Sequence, residues 1–157
     1  MLSAAEPEFI HIDMKDTDTP AVVRKTTGSG EVCWIPWNLT GMYHRHSLPA
    51  HAGLFRDLVD SLLRKRQLRT NAHPLVEVSL QKQGSRTLLH LINLSGHSQT
   101  GYFAPIPMSA IRMEVEGRFR WAKSIRSAAT LAMRNGAGYC EFVIPRLEDY
   151  ELVVLES

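Results

Sequence analysis

The sequence predicts a mainly β protein: an antiparallel β-sandwich preceded by a β-hairpin and one α-helix. Three observations carry this. From residue 73 onward, short segments such as "LVEVSLQKQ" and "IRMEVEG" alternate apolar and polar residues with period two. They recur between Gly, Pro, Asn and Ser turns, the pattern of an antiparallel sandwich. Upstream, one segment, "PAHAGLFRDLVDSLLRKR", has helical spacing, and two short apolar runs are joined by glycines.

The elements follow in order. Residues 1–19 carry Glu6, Glu8, Asp13, Asp16 and Asp18 with little periodicity and read as an extended N-terminal arm. In residues 20–72, "AVVRK" and "EVCWI" flank "TTGSG", where Gly28 and Gly30 allow positive φ, so a β-hairpin is expected. Pro36 ends its second strand, and Trp34, inside that strand, is expected in the core. "WNLTGMYHRH" reads as a loop. The helix is expected over 49–66. Pro49 suits its first turn, and Leu54, Phe55, Leu58, Val59, Leu62 and Leu63 form one apolar stripe. Arg64, Lys65 and Arg66 would complement the dipole at its end.

Residues 73–157 form the sandwich. Val76, Val78 and Leu80 point one way and Glu77, Ser79 and Gln81 the other. Gly84-Ser85 turns the chain into "RTLLHLINL", a more buried strand. "GHSQTGYFAPIPMSA" is a loop. Ile111, Met113 and Val115 face inward, "WAKSIRS" and "ATLAMRN" are weaker strands, Asn135-Gly136 signals a turn, and "GYCEFVIP" and "YELVVLE" close the module.

Bulk properties narrow the function. The 157 residues are 44% hydrophobic and 22% charged, ordinary for a globular protein. A net charge of +2 points away from nucleic acid. No apolar run approaches the roughly 18 residues of a membrane span. With no basic and apolar leader in view, a cytoplasmic location is expected. Cys33 and Cys140 sit in apolar strands outside any CxxC pattern and read as buried thiols.

Chemistry-bearing patterns are few. Glu77, Glu114, Glu116 and Glu141 fall on outward strand positions, where solvent explains them. GxSxG, HExxH and phosphate-cradling loops are absent. His44 and His46 form an HxH that could share a face on a strand or loop, but two ligands without a third hold zinc poorly, so no metal and no cofactor is expected. Trp37, Tyr43 and Trp121 are the residues that could stack on sugar rings, which would make the chain a free-standing carbohydrate-binding module. Asn38-Leu39-Thr40 and Asn93-Leu94-Ser95 match the glycosylation tripeptide, which arises often by chance, while Asn93 could bond to backbone at its strand end.

"GSGEVCWIPWNLTGMYHRHSLPAHAGLFRDLVDSLL" resembles the end of the trimerisation domain of β-galactosidase-like glycoside hydrolases. "HPLVEVSLQKQGSRTLLHLINLSG" resembles the start of the C-terminal β-domain that follows it, and "FVIPRLEDYELVVLE" the closing strands. The resemblance covers residues 20–157. It implies that the hairpin and helix of 20–72 are what remains of a flavodoxin-like α/β domain. It also implies that the catalytic acids reside on an upstream barrel, so no catalytic residue transfers here. Asn38 stands where that family often has an acid. The partners implied are other domains of a parent enzyme or identical copies, as in a trimer, with the apolar helix stripe favouring self-association.

Overall fold

The computed structural model describes residues 16–63, 65–98 and 100–157. Most of the expected N-terminal arm, residues 1–15, lies outside them. The chain divides into two compact units, Met1–Lys65 and Arg66–Ser157.

The first unit opens with the expected hairpin, β1 (Val23–Thr27) and β2 (Gly30–Trp34). Thr27 pairs with Gly30 and Val23 with Trp34. That register leaves Gly28 and Ser29 as a two-residue loop, and Gly28 supplies the positive φ, 61°, that such a tight loop needs. The reading of Trp34 as core is corrected: the residue is 61% exposed. The hairpin is a two-stranded sheet, and among the described residues its Val32/Trp34 face has no further strand to build a core on.

The segment read as a loop contains a helix, α1 (Leu39–His46). Asn38 caps it: its Oδ1 accepts from the Gly41 N–H at 3.0 Å. Ser47 closes it in the left-handed region at φ 50°, donating its N–H to the Tyr43 carbonyl. Next comes α2 (Pro49–Leu62), with Pro49 in the first turn as expected. It ends four residues earlier than the sequence suggested. Leu63 is already extended, so Lys65 and Arg66 fall beyond the helix, and Arg64 lies outside the described residues. Leu39, 2% exposed, is the one buried residue among those described in this unit. Phe55, Leu62 and Leu63 on or just after α2 are 40–50% exposed.

The second unit is the antiparallel sandwich. Its strands are β3 (Leu68–Thr70), β4 (Val76–Gln83), β5 (Arg86–Asn93), β6 (His97–Ser98), β7 (Gly101–Tyr102), β8 (Met108–Glu116), β9 (Trp121–Ser124), β10 (Thr130–Leu131), β11 (Met133–Gly136), β12 (Tyr139–Leu147) and β13 (Tyr150–Glu156). One sheet runs β10-β9-β13-β5-β4 and the other β11-β12-β8-β3. β6 and β7 form a small hairpin inside the loop expected over residues 96–110. Because β3 pairs with β8, the sandwich takes in residues that the sequence grouped with the helix.

The core lies between the sheets. Leu89, Leu91, Val153 and Leu155 come from one, and Ile111, Met113, Val115, Phe142 and Ile144 from the other, all at most 4% exposed. The alternation read from the sequence at Ile111, Met113 and Val115 is thus the inward face. Each fully buried Leu, Ile or Val contributes about 1.5–3 kcal/mol. Cys140 is buried here, and burial, with the nearby Glu141 charge adding to it, pushes its thiol pKa up, which suits a packing residue. Cys33, in the other unit, is only half-buried.

Three polar residues fix the loops. Asn135 was read as a turn signal, but it pairs with Cys140 inside β11. Its amide grips the Phe119 backbone from both sides, Oδ1 accepting at 3.1 Å and Nδ2 donating at 2.8 Å. The turn falls two residues later, at Ala137 and Gly138, both with positive φ. Glu151 is 4% exposed, yet its carboxylate accepts from the Ser124 hydroxyl at 2.7 Å and from the Leu152 N–H at 2.9 Å. Asn93 is fully buried and bonds to backbone, as its place at a strand end suggested. With its side-chain amide so occupied, Asn93 is no glycan acceptor in the folded chain.

Candidate functional site

The residues singled out for sugar contact are divided between the units. Trp37 precedes α1 and is half-buried. Its indole N–H donates to the Ala21 carbonyl at 3.0 Å, and its ring meets His51 edge-on at 5.8 Å. Tyr43 lies on α1, 41% exposed. Trp121 starts β9 in the other unit, 36% exposed, on the outer face of the five-stranded sheet opposite Glu156.

Helix α1 also changes the reading of the HxH pair. His44 and His46 are two positions apart on a helix, where side chains diverge rather than share a face. Among the described residues no group of three His, Cys, Asp or Glu is placed to hold a metal ion. Nor is any described helix long and apolar enough to cross a membrane.

A concavity lies within the sandwich unit. It is a groove of about 880 Å³ across the four-stranded sheet, bordered by Ala129–Ala132 and Pro145. Strand register decides what lines it. Arg134 on β11 stands opposite Glu141 on β12, Glu141 opposite Glu114 on β8, and Glu114 opposite Arg69 on β3. One row of charges, Arg-Glu-Glu-Arg, therefore crosses all four strands, a width of about 14 Å at ordinary strand spacing. The two central glutamates are like charges directly opposite each other, an unfavourable cross-strand pair with Cβ atoms about 5 Å apart.

The outer arginines offset that repulsion. Arg134 Nη2 reaches Glu141 Oε2 at 2.7 Å, and Arg69 Nη1 reaches Glu114 Oε2 at 3.5 Å. The Arg134 guanidinium is held more firmly protonated by this hydrogen bond and by the Glu141 charge. Arg69 also lies over the Tyr139 ring, 4.4 Å from its centroid, and Tyr139 donates its hydroxyl to the Arg66 carbonyl at 2.7 Å. Solvent exposure keeps each ion pair weak. Their consequence is positional: four charged ends are fixed in a line.

One step along the strands, Arg112 stands opposite Val143. Its backbone N–H donates to Asn71 Oδ1 at 2.7 Å, but its guanidinium makes no ion pair or hydrogen bond among the described residues. Glu114 and Glu141 face outward, as their strand positions predict. Their juxtaposition is not visible in the sequence, because it depends on which strands pair and in which register.

No family model matches the sequence, and no curated protein matches it. Among solved structures, α-L-fucosidase isoenzyme 2 from Paenibacillus thiaminolyticus is similar in fold, with a TM-score of 0.74 and 18% identity over 95% of this chain and 24% of that one. A cycloisomaltooligosaccharide glucanotransferase from Paenibacillus sp., complexed with cycloisomaltoheptaose, aligns at a TM-score of 0.43 and 16% identity, over 64% of this chain and 19% of that one, too low to carry an argument. This chain thus spans about a quarter of the fucosidase's length.

Proposed function

We propose that this chain is a non-catalytic C-terminal accessory region of a glycoside hydrolase, of the β-galactosidase-like kind its sequence resembles, serving carbohydrate metabolism by stabilising or assembling the enzyme. The supporting observation is that nearly the whole chain shares its fold with only 24% of an α-L-fucosidase chain. A fold that occurs as one part of a hydrolase suits an accessory role. The carboxylates of the groove agree with this: Glu114 and Glu141 are each engaged by an arginine on a sheet face rather than set across a cleft from one another. The chain alone is expected to hydrolyse no nitrophenyl glycoside. Turnover by the pure protein that disappears in Glu114→Gln or Glu141→Gln would make it an enzyme and end this reading.

Assembly is the second half of the proposal. Phe55, Leu62 and Leu63 expose apolar surface along or just past α2. They are expected to contact identical copies, such as a trimer, or other domains of a parent enzyme. Sedimentation across a concentration series should show self-association that Phe55→Asp weakens at least tenfold, with the helical circular dichroism retained. A monomer at every concentration would remove identical copies as the partner. Tyr43 and Trp121, which are partly open to solvent, support a second reading in which they and Trp37 are sugar contacts.

A further inference from the structure

We infer that the groove across the four-stranded sheet binds an acidic oligosaccharide, with Arg112 receiving a uronate carboxylate and the Arg-Glu-Glu-Arg row receiving sugar hydroxyls. The carbohydrate class rests on the accessory-region reading above; the site and the charge of its ligand rest on the groove itself.

The charge count comes first. Three guanidiniums, Arg69, Arg112 and Arg134, line the groove against two carboxylates, Glu114 and Glu141. Arg69 and Arg134 are each committed to a glutamate. Arg112 is not, so the groove carries one uncommitted positive charge, in the row beside the ladder. A guanidinium with a free fork matches a carboxylate in two parallel hydrogen bonds. Asn71 lies beside it: its amide oxygen takes the Arg112 N–H, which leaves its NH2 as a second donor to the same anion.

The ladder supplies the other half of the recognition. Carboxylates only accept and guanidiniums only donate. A sugar hydroxyl does both, so a line of fixed acceptors flanked by fixed donors meets a run of hydroxyls without either side going unpaired. The groove volume of about 880 Å³ falls in the range of small-molecule sites. A peptide fits less well. Peptides bind sheets by adding a strand at an edge, whereas the charge row lies across the face, where Glu141 of β12 and Glu114 of β8 sit on backbones already paired on both sides.

The test is calorimetric titration of the whole chain at low salt. Trimers of galacturonate, glucuronate and mannuronate are compared with the neutral trimers of the parent sugars, and a Glu-rich peptide serves as a competitor. At least one uronate trimer is expected to bind one-to-one. Arg112→Gln should weaken it about tenfold or more, the loss expected for one charge-assisted contact. Lys123→Gln, which removes an exposed cation from the opposite sheet, should leave it unchanged. Equal weakening in both variants would show non-specific charge attraction, displacement by the peptide would show a peptide site, and no binding by any uronate would leave no acidic-sugar site; each overturns the inference. None of these touches the accessory-region reading, which falls only if the chain itself hydrolyses glycosides.

Discussion

Replacing Asn93 with alanine is expected to destabilise the sandwich by about 3 kcal/mol, because the substitution removes one buried amide that satisfies three backbone groups at once. The side chain is fully buried. Its Nδ2 donates to the Ile106 carbonyl at 2.8 Å and to the Glu148 carbonyl at 2.6 Å, and its Oδ1 accepts from the Ser95 N–H at 3.1 Å. One amide therefore ties the end of β5 to the 103–107 segment and to the turn before β13. For a unit of this size the loss corresponds to a melting temperature lower by about 12 °C or more. Asn93→Asp keeps the shape but cannot donate twice, and at neutral pH it should cost at least as much. A change below about 1 kcal/mol in Asn93→Ala, read by thermal or denaturant melting, would show that the loop finds other partners.

The second large effect is expected at Gly96, in the same loop. A Cβ built there would stand 2.0 Å from the Phe103 carbonyl oxygen and 3.1 Å from the Pro105 nitrogen. Both are backbone atoms that cannot swing aside as a side chain does. The Gly96 carbonyl also accepts the Phe103 N–H at 2.8 Å, so this close approach is a bonded one. Gly96→Ala must push the 103–105 segment outward, at a cost of about 3 kcal/mol, the upper end of the overpacking range. Melting of the variant measures it, and an unchanged melting temperature would mean that the two segments approach less closely than described. Because Asn93 and Gly96 hold the same loop, the double variant should lose less than the sum of the singles.

Much of this fold is legible in the residues. Alternation at Val76, Val78 and Leu80, and at Ile111, Met113 and Val115, marks faces that do point to the core. The glycine at 28 marks a hairpin, and the apolar spacing after Pro49 marks α2. Misreadings came where a residue type had two uses. Asn135-Gly136 has turn chemistry, but Asn135 spends its amide on Phe119 across a loop, a partner outside any local window. Helix α1 was hidden by the prolines and histidines around it. A signal was present, however: Asn38 in a capping position, followed by Leu39, Met42 and Tyr43 at helical spacing. The candidate site was the least legible part. Each of its charges is visible as an outward strand residue, but the row exists only once β8, β11, β12 and β3 are set side by side in register, and one residue of slip would move its members to the opposite face.

The strand order has a consequence for synthesis. β13 lies in the interior of the five-stranded sheet, between β5 and β9. It is made after every other described strand, yet it supplies the partner that both neighbours require. While the chain is emerging from the ribosome, β5 has β4 on one side and an open row of N–H and C=O groups on the other. The sheet closes by insertion of its last-made strand into a waiting gap, a non-local step of the kind that slows folding. Until then the open edge of β5 is a template on which another nascent chain could pair, so the interval before insertion is when the protein is most open to aggregation.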